Sequence, residues 1–354
     1  MTNSLPLLIK ERLNQGVVIP AHPLALNENR SLDEENQRLL TRYYLASGAG
    51  GVAVGVHTTQ FEIRMPPYNL YEKVLAFAAE EIDNNSQSDS FIKIAGICGD
   101  TSQAIQEAQI ALKHGYHLGL LSMGGLQNYT EEQLLERTKE ISSIIPVFGF
   151  YLQPSVGGRI LSYEFWKSFC EIPNVMAIKL APFNRYQTLD VVRAVCESSR
   201  YDEIALYTGN DDNIVGDLLT SYRFKIGNEF REKEIVGGLL GHWAVWTHRA
   251  VELLHQIKER KVSTSELLTK GIEITDCNAA FFDANNGFKG CIAGIHEVLR
   301  RQGLLNGIWC LNPDENLSSG QKEEIDRIYN MYPHLNDDVF VSQNIASWKS
   351  HVNH

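Results

Sequence analysis

The sequence has little cysteine, a shortage of positive charge and no long hydrophobic run, and each shortage excludes a class of protein. Its 354 residues include 6 cysteines, none of them in a CxxC pair. This favours reduced thiols over a disulfide framework and predicts a cytoplasmic protein. No stretch approaches the roughly 18 apolar residues that span a bilayer, and the N-terminal residues lack the pattern of a signal peptide. We therefore expect a soluble protein with no membrane partner.

The charge balance further limits the classes of binding partner that we expect. Asp and Glu number 43 against 32 Lys and Arg, a formal net charge of −11. An acidic chain lacks the electrostatic footprint of a nucleic-acid binder, so small-molecule chemistry is the expectation. The hydrophobic content of 44% is that of a globular protein. The length suits either two ordinary domains or one large α/β barrel with an extension.

Short apolar runs alternate with amphipathic segments up to about residue 260. Eight runs predict strands, at 16–20, 51–56, 91–97, 118–122, 146–151, 175–181, 203–208 and 234–241. Most are unbroken, which is typical of a parallel sheet covered by helices on both faces. Eight such strand–helix units predict a (β/α)8 TIM barrel over residues 1–260. A doubly wound open sheet is the alternative, but its nucleotide-binding members have a glycine fingerprint where this chain has Pro20-Ala21-His22-Pro23.

Helix signals complete the predicted architecture. Ser31 and Glu34 form a capping-box pattern before the first predicted helix, and Thr101 and Thr130 are predicted to cap two later ones. Residues 261–354 predict a C-terminal helical region packed on the barrel, with helices at 264–283, 288–302 and 318–331. Extra length around 60–70 and 221–233 predicts a lid or an interface insertion.

The carboxyl ends of barrel strands hold the functional groups in this architecture, so the residues there are the candidates. They are His22, His57, Thr58, Thr59, Gln60, Ser122, Tyr151, Gln153, Lys179, Thr208, Gly209, Asn210, Asp211, Gly237, Gly238 and His242. The set has no spaced Asp, Glu and His pattern of a metal site, and no GxSxG elbow. We therefore expect neither a metal nor a cofactor.

Lys179 is the most informative candidate because it ends an apolar strand, VMAIK. Burial lowers a lysine pKa, and a neutral amine attacks carbonyl carbon to give a Schiff base. A lysine that reaches solvent or pairs with a carboxylate is the alternative. Tyr151 ends the preceding strand, and its phenol is a candidate proton relay or else a core tyrosine.

The remaining candidates suit substrate binding. Thr58 and Thr59 offer hydroxyl and N–H donors for a carboxylate, or form an ordinary strand–helix turn. His57 and His242 are candidates for orienting substrate hydroxyls or are structural. Candidate specificity residues are Ser122, Gln153, Asn210 and His242.

Four segments carry a resemblance to a known family. They are the opening segment at 17–59, FGFYLQPSVGG at 148–158, IPNVMAIKLA at 172–181 and YTGNDD at 207–212. The glycine-rich region GFKGCIAGIHEVLRRQGLLNGIWCLNP adds a fifth. Together they resemble the dihydrodipicolinate synthase / N-acetylneuraminate lyase family of class I aldolases.

The resemblance implies a (β/α)8 barrel with C-terminal helices, usually assembled as a homo-oligomer, a tetramer or a dimer. By analogy Lys179 forms the Schiff base with a 2-oxo acid such as pyruvate, and Tyr151 relays protons. The turn at His57, Thr58 and Thr59 holds the oxo-acid carboxylate, with Gly209, Asn210, Gly238 and His242 as further substrate-binding residues. No tyrosine stands in register after the fourth strand, and Val156 occupies the position of an expected arginine. We therefore expect a protein other than a true dihydrodipicolinate synthase.

The sequence thus predicts a lyase or aldolase that cleaves a carbon–carbon or carbon–oxygen bond through an imine. Its expected partners are a 2-oxo acid and an aldehyde. A sugar-acid dehydratase or hydratase-aldolase would use the same imine. Two further hypotheses are a non-catalytic ligand-binding homologue and a metal-dependent lyase.

Overall fold

Eight short buried strands dominate the structure, a computed structural model that describes residues 4–85 and 88–350. Every residue of these eight strands is buried. The strands are β1 (Val18–Pro20), β2 (Gly51–Val54), β3 (Ile92–Ile97), β4 (Leu118–Leu121), β5 (Val147–Leu152), β6 (Val175–Ala181), β7 (Ala205–Thr208) and β10 (Gly237–Leu240). Their burial confirms the prediction made from unbroken apolar runs.

Helices separate successive strands and fill the C-terminal region. They are α1 (Leu7–Gln15), α2 (Glu34–Ala46), α3 (Tyr71–Asp83), α4 (Thr101–Lys113), α5 (Glu131–Ser142), α6 (Tyr163–Cys170), α7 (Arg185–Glu197), α8 (Ile214–Leu219), α9 (Thr247–Glu259), α10 (Thr264–Phe281), α11 (Cys291–Arg301), α12 (Gln321–Met331) and α13 (Asp338–Ser350). The sequence predicts neither α1 nor α13. Apart from these two helices and a two-stranded hairpin between α8 and β10, the predicted order of elements is confirmed.

The helix caps correct two predictions and confirm a third. Asp33, not Ser31, caps α2, since its carboxylate accepts the backbone N–H of Asn36. Asp100, not Thr101, caps α4 in the same way. Thr130 caps α5 as predicted, with Gln133 completing a capping box. The two differences arise because Ser, Thr and Asp are all good caps and stand close together at both helix starts.

The chain forms two compact units. The first unit holds residues up to 17 and 92–239. Its strands lie parallel in the order β3, β4, β5, β6, β7, β10. The register aligns Phe150 with Lys179 and Lys179 with Tyr207 across β5, β6 and β7. Paired residues of parallel strands point to the same face, so these three side chains share one face of the sheet.

A hairpin occupies the predicted insertion at 221–233. It consists of β8 (Ser221–Ile226) and β9 (Glu229–Glu234), which pair antiparallel. Gly227 supplies the positive φ, 62°, that a two-residue turn requires. Arg231 of the hairpin donates to the carbonyl oxygens of Cys196 and Ser198, 2.6 and 3.1 Å away, at the end of α7. A lid or interface role for this segment stays a prediction.

The second unit holds residues 18–91 and those from 240 to the C-terminus. Within it, β1 continues into a parallel bridge between Ala21 and Ala53 beside β2. The start of α13 is fixed by the buried carboxylate of Asp337. That group accepts hydrogen bonds from the Tyr43 hydroxyl at 2.8 Å and the Gln302 amide at 2.7 Å, and burial raises its pKa.

Eight parallel strands alternating with helices, followed by C-terminal helices, are the (β/α)8 TIM-barrel fold with a helical extension that the sequence predicts. The division into a 1–260 barrel and a 261–354 helical region stays a prediction. No helix in the described part of the chain is both long enough and apolar enough to cross a membrane.

Candidate active site

Lys179 lies in a dry, partly aromatic environment in the first unit. It is the fifth residue of β6, with only 8% of its surface exposed. Its ammonium nitrogen lies 4.4 Å from the centre of the Phe150 ring on β5. Burial lowers the lysine pKa to about 8, and the negative charge of Asp211 opposes that shift. Roughly a tenth of such amines are uncharged at pH 7.

The sheet face that carries Lys179 is closed toward the amino ends of the strands. Phe148 and Tyr207 pack edge to face there, with ring centres 5.3 Å apart. The Tyr207 hydroxyl donates to the carbonyl oxygen of Leu13 in α1, 2.7 Å away. A (β/α)8 protein places its chemistry at the carboxyl ends of its strands, so a ligand is expected to approach the amine from that end.

The lack of a side chain at Gly209 leaves space for the side chain of Lys179. A methyl group built at this position would lie 2.5 Å from Cε of Lys179 and 2.9 Å from Cβ of Ala181. The predicted substrate-binding role of Gly209 is not tested by this contact. The structure instead shows that the absence of a side chain lets the lysine adopt its position.

Asp217 fixes the turn that follows β7. It is fully buried, and its carboxylate accepts from the Thr208 hydroxyl at 2.7 Å, the Asn210 amide at 2.9 Å and the Asn213 amide at 3.1 Å. The Arg185 guanidinium donates to it as well. Asn210 also accepts the backbone N–H of Phe183 at 3.0 Å. The polar atoms of the Asn210 side chain are thus used in holding the turn, and a role in substrate binding stays a prediction.

Removing the Asp217 carboxylate is expected to destabilise the protein. Asp217→Ala leaves buried hydroxyl and amide groups without partners, at a cost of about 2–4 kcal/mol in the free energy of unfolding. Urea denaturation measures this loss. Asp190→Ala is the matched control, because Asp190 forms an exposed ion pair with Arg193 and should change stability by less than ~1 kcal/mol. Equal effects of the two substitutions would contradict the role of Asp217.

The structure does not bring Tyr151 onto the lysine's face. Tyr151 aligns with Leu180, one position beyond Lys179. Its ring packs against Trp166 of α6, with centres 5.0 Å apart. Its hydroxyl lies 3.4 Å from both the backbone nitrogen and the carbonyl oxygen of Leu161, which is long for a hydrogen bond. The phenol therefore faces the helices.

A one-residue irregularity in β6 explains this orientation. Val147 pairs with Val175, but the next residue, Phe148, pairs with Ala177, so Met176 is an extra residue. Without that extra residue, the register of Val147 with Val175 would align Tyr151 with Lys179. The bulge moves Phe150 into that position and turns Tyr151 to the opposite face.

Two of the predicted carboxylate ligands in the second unit already bind backbone. The Thr58 hydroxyl donates to the carbonyl oxygen of Ala21 at 2.9 Å, and the Thr59 hydroxyl donates to that of His22 at 2.7 Å. The Thr59 oxygen also accepts the N–H groups of Gly55 and Val56. A hydroxyl has one hydrogen to donate, so neither group has one left for a carboxylate in this structure. The predicted roles of Thr58, Thr59 and His57 stay predictions.

The remaining candidates have varied surroundings. Gly238 pairs with Thr208 across β10 and β7. The Ser122 hydroxyl accepts the N–H of Gly124 at 3.1 Å. Gln153 is buried, and its backbone N–H donates to Ala181. His242 is buried in the second unit, where burial lowers its pKa to about 4.

His22 is structural. Its ring nitrogens lie 2.7 Å from the carbonyl oxygen of Pro23 and 2.9 Å from the Thr41 hydroxyl. Burial lowers its pKa to about 4, so the ring is neutral at pH 7. A histidine with both nitrogens engaged has none to offer a substrate.

Asp211 affects the charge state of Lys179, a role that the sequence does not predict. The sequence offers it only as a strand-end residue and a metal-ligand type, yet its buried carboxylate is close enough to Lys179 to raise that lysine's pKa. The position of Asp211 in the sequence could have indicated this role. It lies two residues beyond Gly209, just after β7, and β7 pairs with the lysine strand β6. Carboxyl ends of adjacent parallel strands meet at one edge of a sheet, which places the two groups together.

The fold is that of a (β/α)8 protein, and its strand β6 carries a buried lysine near the carboxyl end. No family model matches the chain. Its sequence is similar to N-acetylneuraminate lyase 2 of Escherichia coli O6:H1, with 24% identity over 301 residues that cover 84% of this chain and 87% of that protein.

Solved structures of the same fold include N-acetylneuraminate lyase from Fusobacterium nucleatum, with a TM-score of 0.69 and 17% identity over 90% of this chain and 99% of that one. Dihydrodipicolinate synthase from Oceanobacillus iheyensis matches with a TM-score of 0.73 and 16% identity over 92% and 99%. The enzyme of the same name from Acinetobacter baumannii, solved with pyruvate, matches with a TM-score of 0.72 and 17% identity over 89% and 98%. These similarities confirm the resemblance to the dihydrodipicolinate synthase / N-acetylneuraminate lyase family.

Proposed function

We propose that this protein is a class I lyase that forms an imine between Lys179 and a 2-oxo acid. The observation that carries the proposal is the buried amine of Lys179, whose pKa is lowered to about 8. An uncharged amine is a nucleophile toward a ketone carbon. The relatives support the choice of substrate, since one is an N-acetylneuraminate lyase and one structural neighbour was solved with pyruvate.

The proposed reaction begins with attack of the amine lone pair on C2 of the oxo acid. Loss of water leaves the C=N bond, and protonation of its nitrogen makes an iminium ion. When the bond between C3 and C4 of a 4-hydroxy-2-oxo acid breaks, its electron pair moves into the enamine and the C4 hydroxyl proton passes to a base, which releases an aldehyde. Protonation of the enamine at C3 and hydrolysis of the iminium ion then return the amine and pyruvate.

We assign the proton transfers to Asp211 in place of Tyr151. The Asp211 carboxylate interacts electrostatically with the Lys179 ammonium, whereas the Tyr151 phenol lies near Leu161 and Trp166 on the other face of β5. Asp211 follows β7, the strand that pairs with the lysine strand β6, and a carboxylate near the reacting atoms can act as a general base. A dehydratase acting on a sugar acid would use the same two groups.

Borohydride trapping tests the imine directly. The native protein is incubated with pyruvate, and separately with larger 2-oxo acids, and is reduced with sodium borohydride. We expect a covalent mass increase equal to the reduced adduct, located on Lys179 by peptide mapping. If none of the 2-oxo acids gives an adduct, the proposal is wrong. Thermal stabilisation by an oxo acid without an adduct would instead favour the ligand-binding alternative.

Asp211→Asn and Tyr151→Phe are expected to have different effects. The charge of Asp211 raises the pKa of Lys179. In Asp211→Asn, the pH at which imine trapping is half-maximal should therefore fall below about 8. The substitution should also slow deuterium exchange of the pyruvate methyl group, which needs a base, by about 100-fold or more. Tyr151→Phe should leave the pH of half-maximal trapping unchanged and trapping within about threefold, since its hydrogen bonds are long.

Mass spectrometry of the trapped adduct and proton NMR in D₂O measure the two effects. A large loss of exchange in Tyr151→Phe with none in Asp211→Asn would reverse the assignment and restore the phenol as the relay.

A further inference from the structure

A cavity of about 130 Å³ lies inside the second unit, between α9, α10 and the loop before α13. Its inner wall is aromatic and apolar, and its outer wall is charged. The inner wall includes His242, Trp243, Trp246, Leu253, Ile274 and Cys277. All six are at least nine-tenths buried. This composition, an apolar body with a few polar groups at one end, is typical of a small-molecule site.

Trp246 holds a strained backbone conformation at the wall of this cavity. Its φ and ψ are 52° and 36°, in the left-handed region that a bulky residue rarely adopts. Its ring is fixed by edge-to-face contacts with Phe281 and Tyr329, at 4.9 and 5.3 Å between centres. Strain of this kind persists only where surrounding packing enforces it, and it clusters at ligand sites.

The outer wall presents a cation, Lys270, at the mouth of the cavity. Within the described part of the chain, the Lys270 ammonium has no carboxylate partner and bonds only to the amide oxygen of Gln256, at 3.0 Å. Two other basic side chains at this wall have a carboxylate neighbour: Arg249 lies 2.7 Å from Glu252, and His334 lies 2.8 Å from Glu273. The Arg249 side chain is 44% exposed, so the outer wall reaches solvent.

We propose that this cavity is a second small-molecule site, which takes a monocarboxylate with a compact apolar body. The apolar body would lie against Trp243 and Trp246, and the carboxylate would accept a hydrogen bond from Lys270. The size agrees, because an apolar cavity of about 150 Å³ holds a benzene molecule. His242 supports the same choice, since its pKa of about 4 leaves a neutral ring at the inner wall at pH 7.

Benzoate is the probe that fits these requirements, and benzyl alcohol is its uncharged counterpart. Isothermal titration calorimetry on the full chain at pH 7 and low salt is expected to show saturable benzoate binding. Lys270→Gln should weaken benzoate binding by about tenfold, the value of a charge-assisted hydrogen bond. Lys270→Arg should restore most of it. Benzyl alcohol should bind about tenfold more weakly and be indifferent to Lys270→Gln.

Two further variants locate the site. Ala250→Leu places added volume in the cavity, which Ala250 lines, and should abolish binding of both probes. Its fold is checked by circular dichroism and by thermal denaturation. Lys179→Met should bind benzoate as the wild type does, because Lys179 is not among the residues that line the cavity.

Each opposing result overturns the proposal. Absence of benzoate binding by the wild type does so, as does equal affinity in Lys270→Gln. Loss of binding in Lys179→Met would place benzoate at the imine site. Unchanged binding in a folded Ala250→Leu variant would place it elsewhere on the surface. None of these outcomes depends on the lyase reaction itself.

Discussion

Replacing Lys179 by methionine is expected to abolish both borohydride trapping and pyruvate deuterium exchange, a loss of at least about 1,000-fold. Methionine keeps an unbranched apolar side chain against the Phe150 ring, which lies 4.4 Å from the present ammonium, but it has no nucleophilic nitrogen. Intact-protein mass spectrometry after reduction is the measurement. Lys93→Met is the matched control, because Lys93 is also a buried strand lysine and should leave trapping unchanged.

The same substitution is expected to make the fold more stable at neutral pH. The Lys179 pKa is lowered from 10.5 to about 8, so the folded state holds the ammonium less well than the unfolded state. This cost is fully present below pH 8 and fades as the pH rises toward 10.5. At pH 7 the gain in Lys179→Met is therefore of the order of 3 kcal/mol, because one pKa unit corresponds to about 1.4 kcal/mol. It should disappear above about pH 10.5, which urea denaturation at pH 7 and pH 10.5 tests.

Two results would count against this account. Persistent trapping in Lys179→Met would move the imine to another lysine. A wild-type protein whose trapping rate rises through pH 10.5 and shows no midpoint near 8 would mean that Lys179 is an ordinary, hydrated lysine. In that case the stability gain at pH 7 should be absent as well, because both effects come from the same burial.

The strands of this fold could be predicted because a strand that is buried on both faces appears in the sequence as an unbroken apolar run, such as VMAIKLA. The lysine could be singled out because a charged residue interrupts such a run at its carboxyl end. Gly209 and Asp211 follow from the same reasoning, since the next strand ends beside the lysine strand. These are features of local sequence and of parallel-strand geometry, which a single sequence contains.

The direction of the Tyr151 side chain could not be predicted in this way. Alternation along a strand has a period of two, so one extra residue exchanges the faces. The extra residue, Met176, lies in the neighbouring strand β6 and is an ordinary apolar residue within an apolar run. The role of Asp217 could not be predicted either, because it depends on contacts with Thr208 and Arg185 that form only in the folded chain.

Gly209→Ala is expected to be the most damaging substitution that leaves every functional group in place. The new methyl group would lie 2.5 Å from Cε of Lys179 and 2.9 Å from Cβ of Ala181, so the lysine or the strand must shift. A displacement near 1 Å at a reacting group costs about 100-fold in rate. Overpacking of this kind also lowers stability by about 1–3 kcal/mol. Trapping rates and urea denaturation measure the two losses.

Double variants separate the two contacts of the added methyl group. In Gly209→Ala combined with Lys179→Ala, the contact with Cε is gone, so the alanine at 209 should cost less stability than it does beside the native lysine. In Gly209→Ala combined with Ala181→Gly, the contact with Cβ is gone but the lysine is still displaced, so stability should recover more than trapping does. Full recovery of trapping in the second pair would show that Ala181, and not the position of Lys179, is what Gly209 protects.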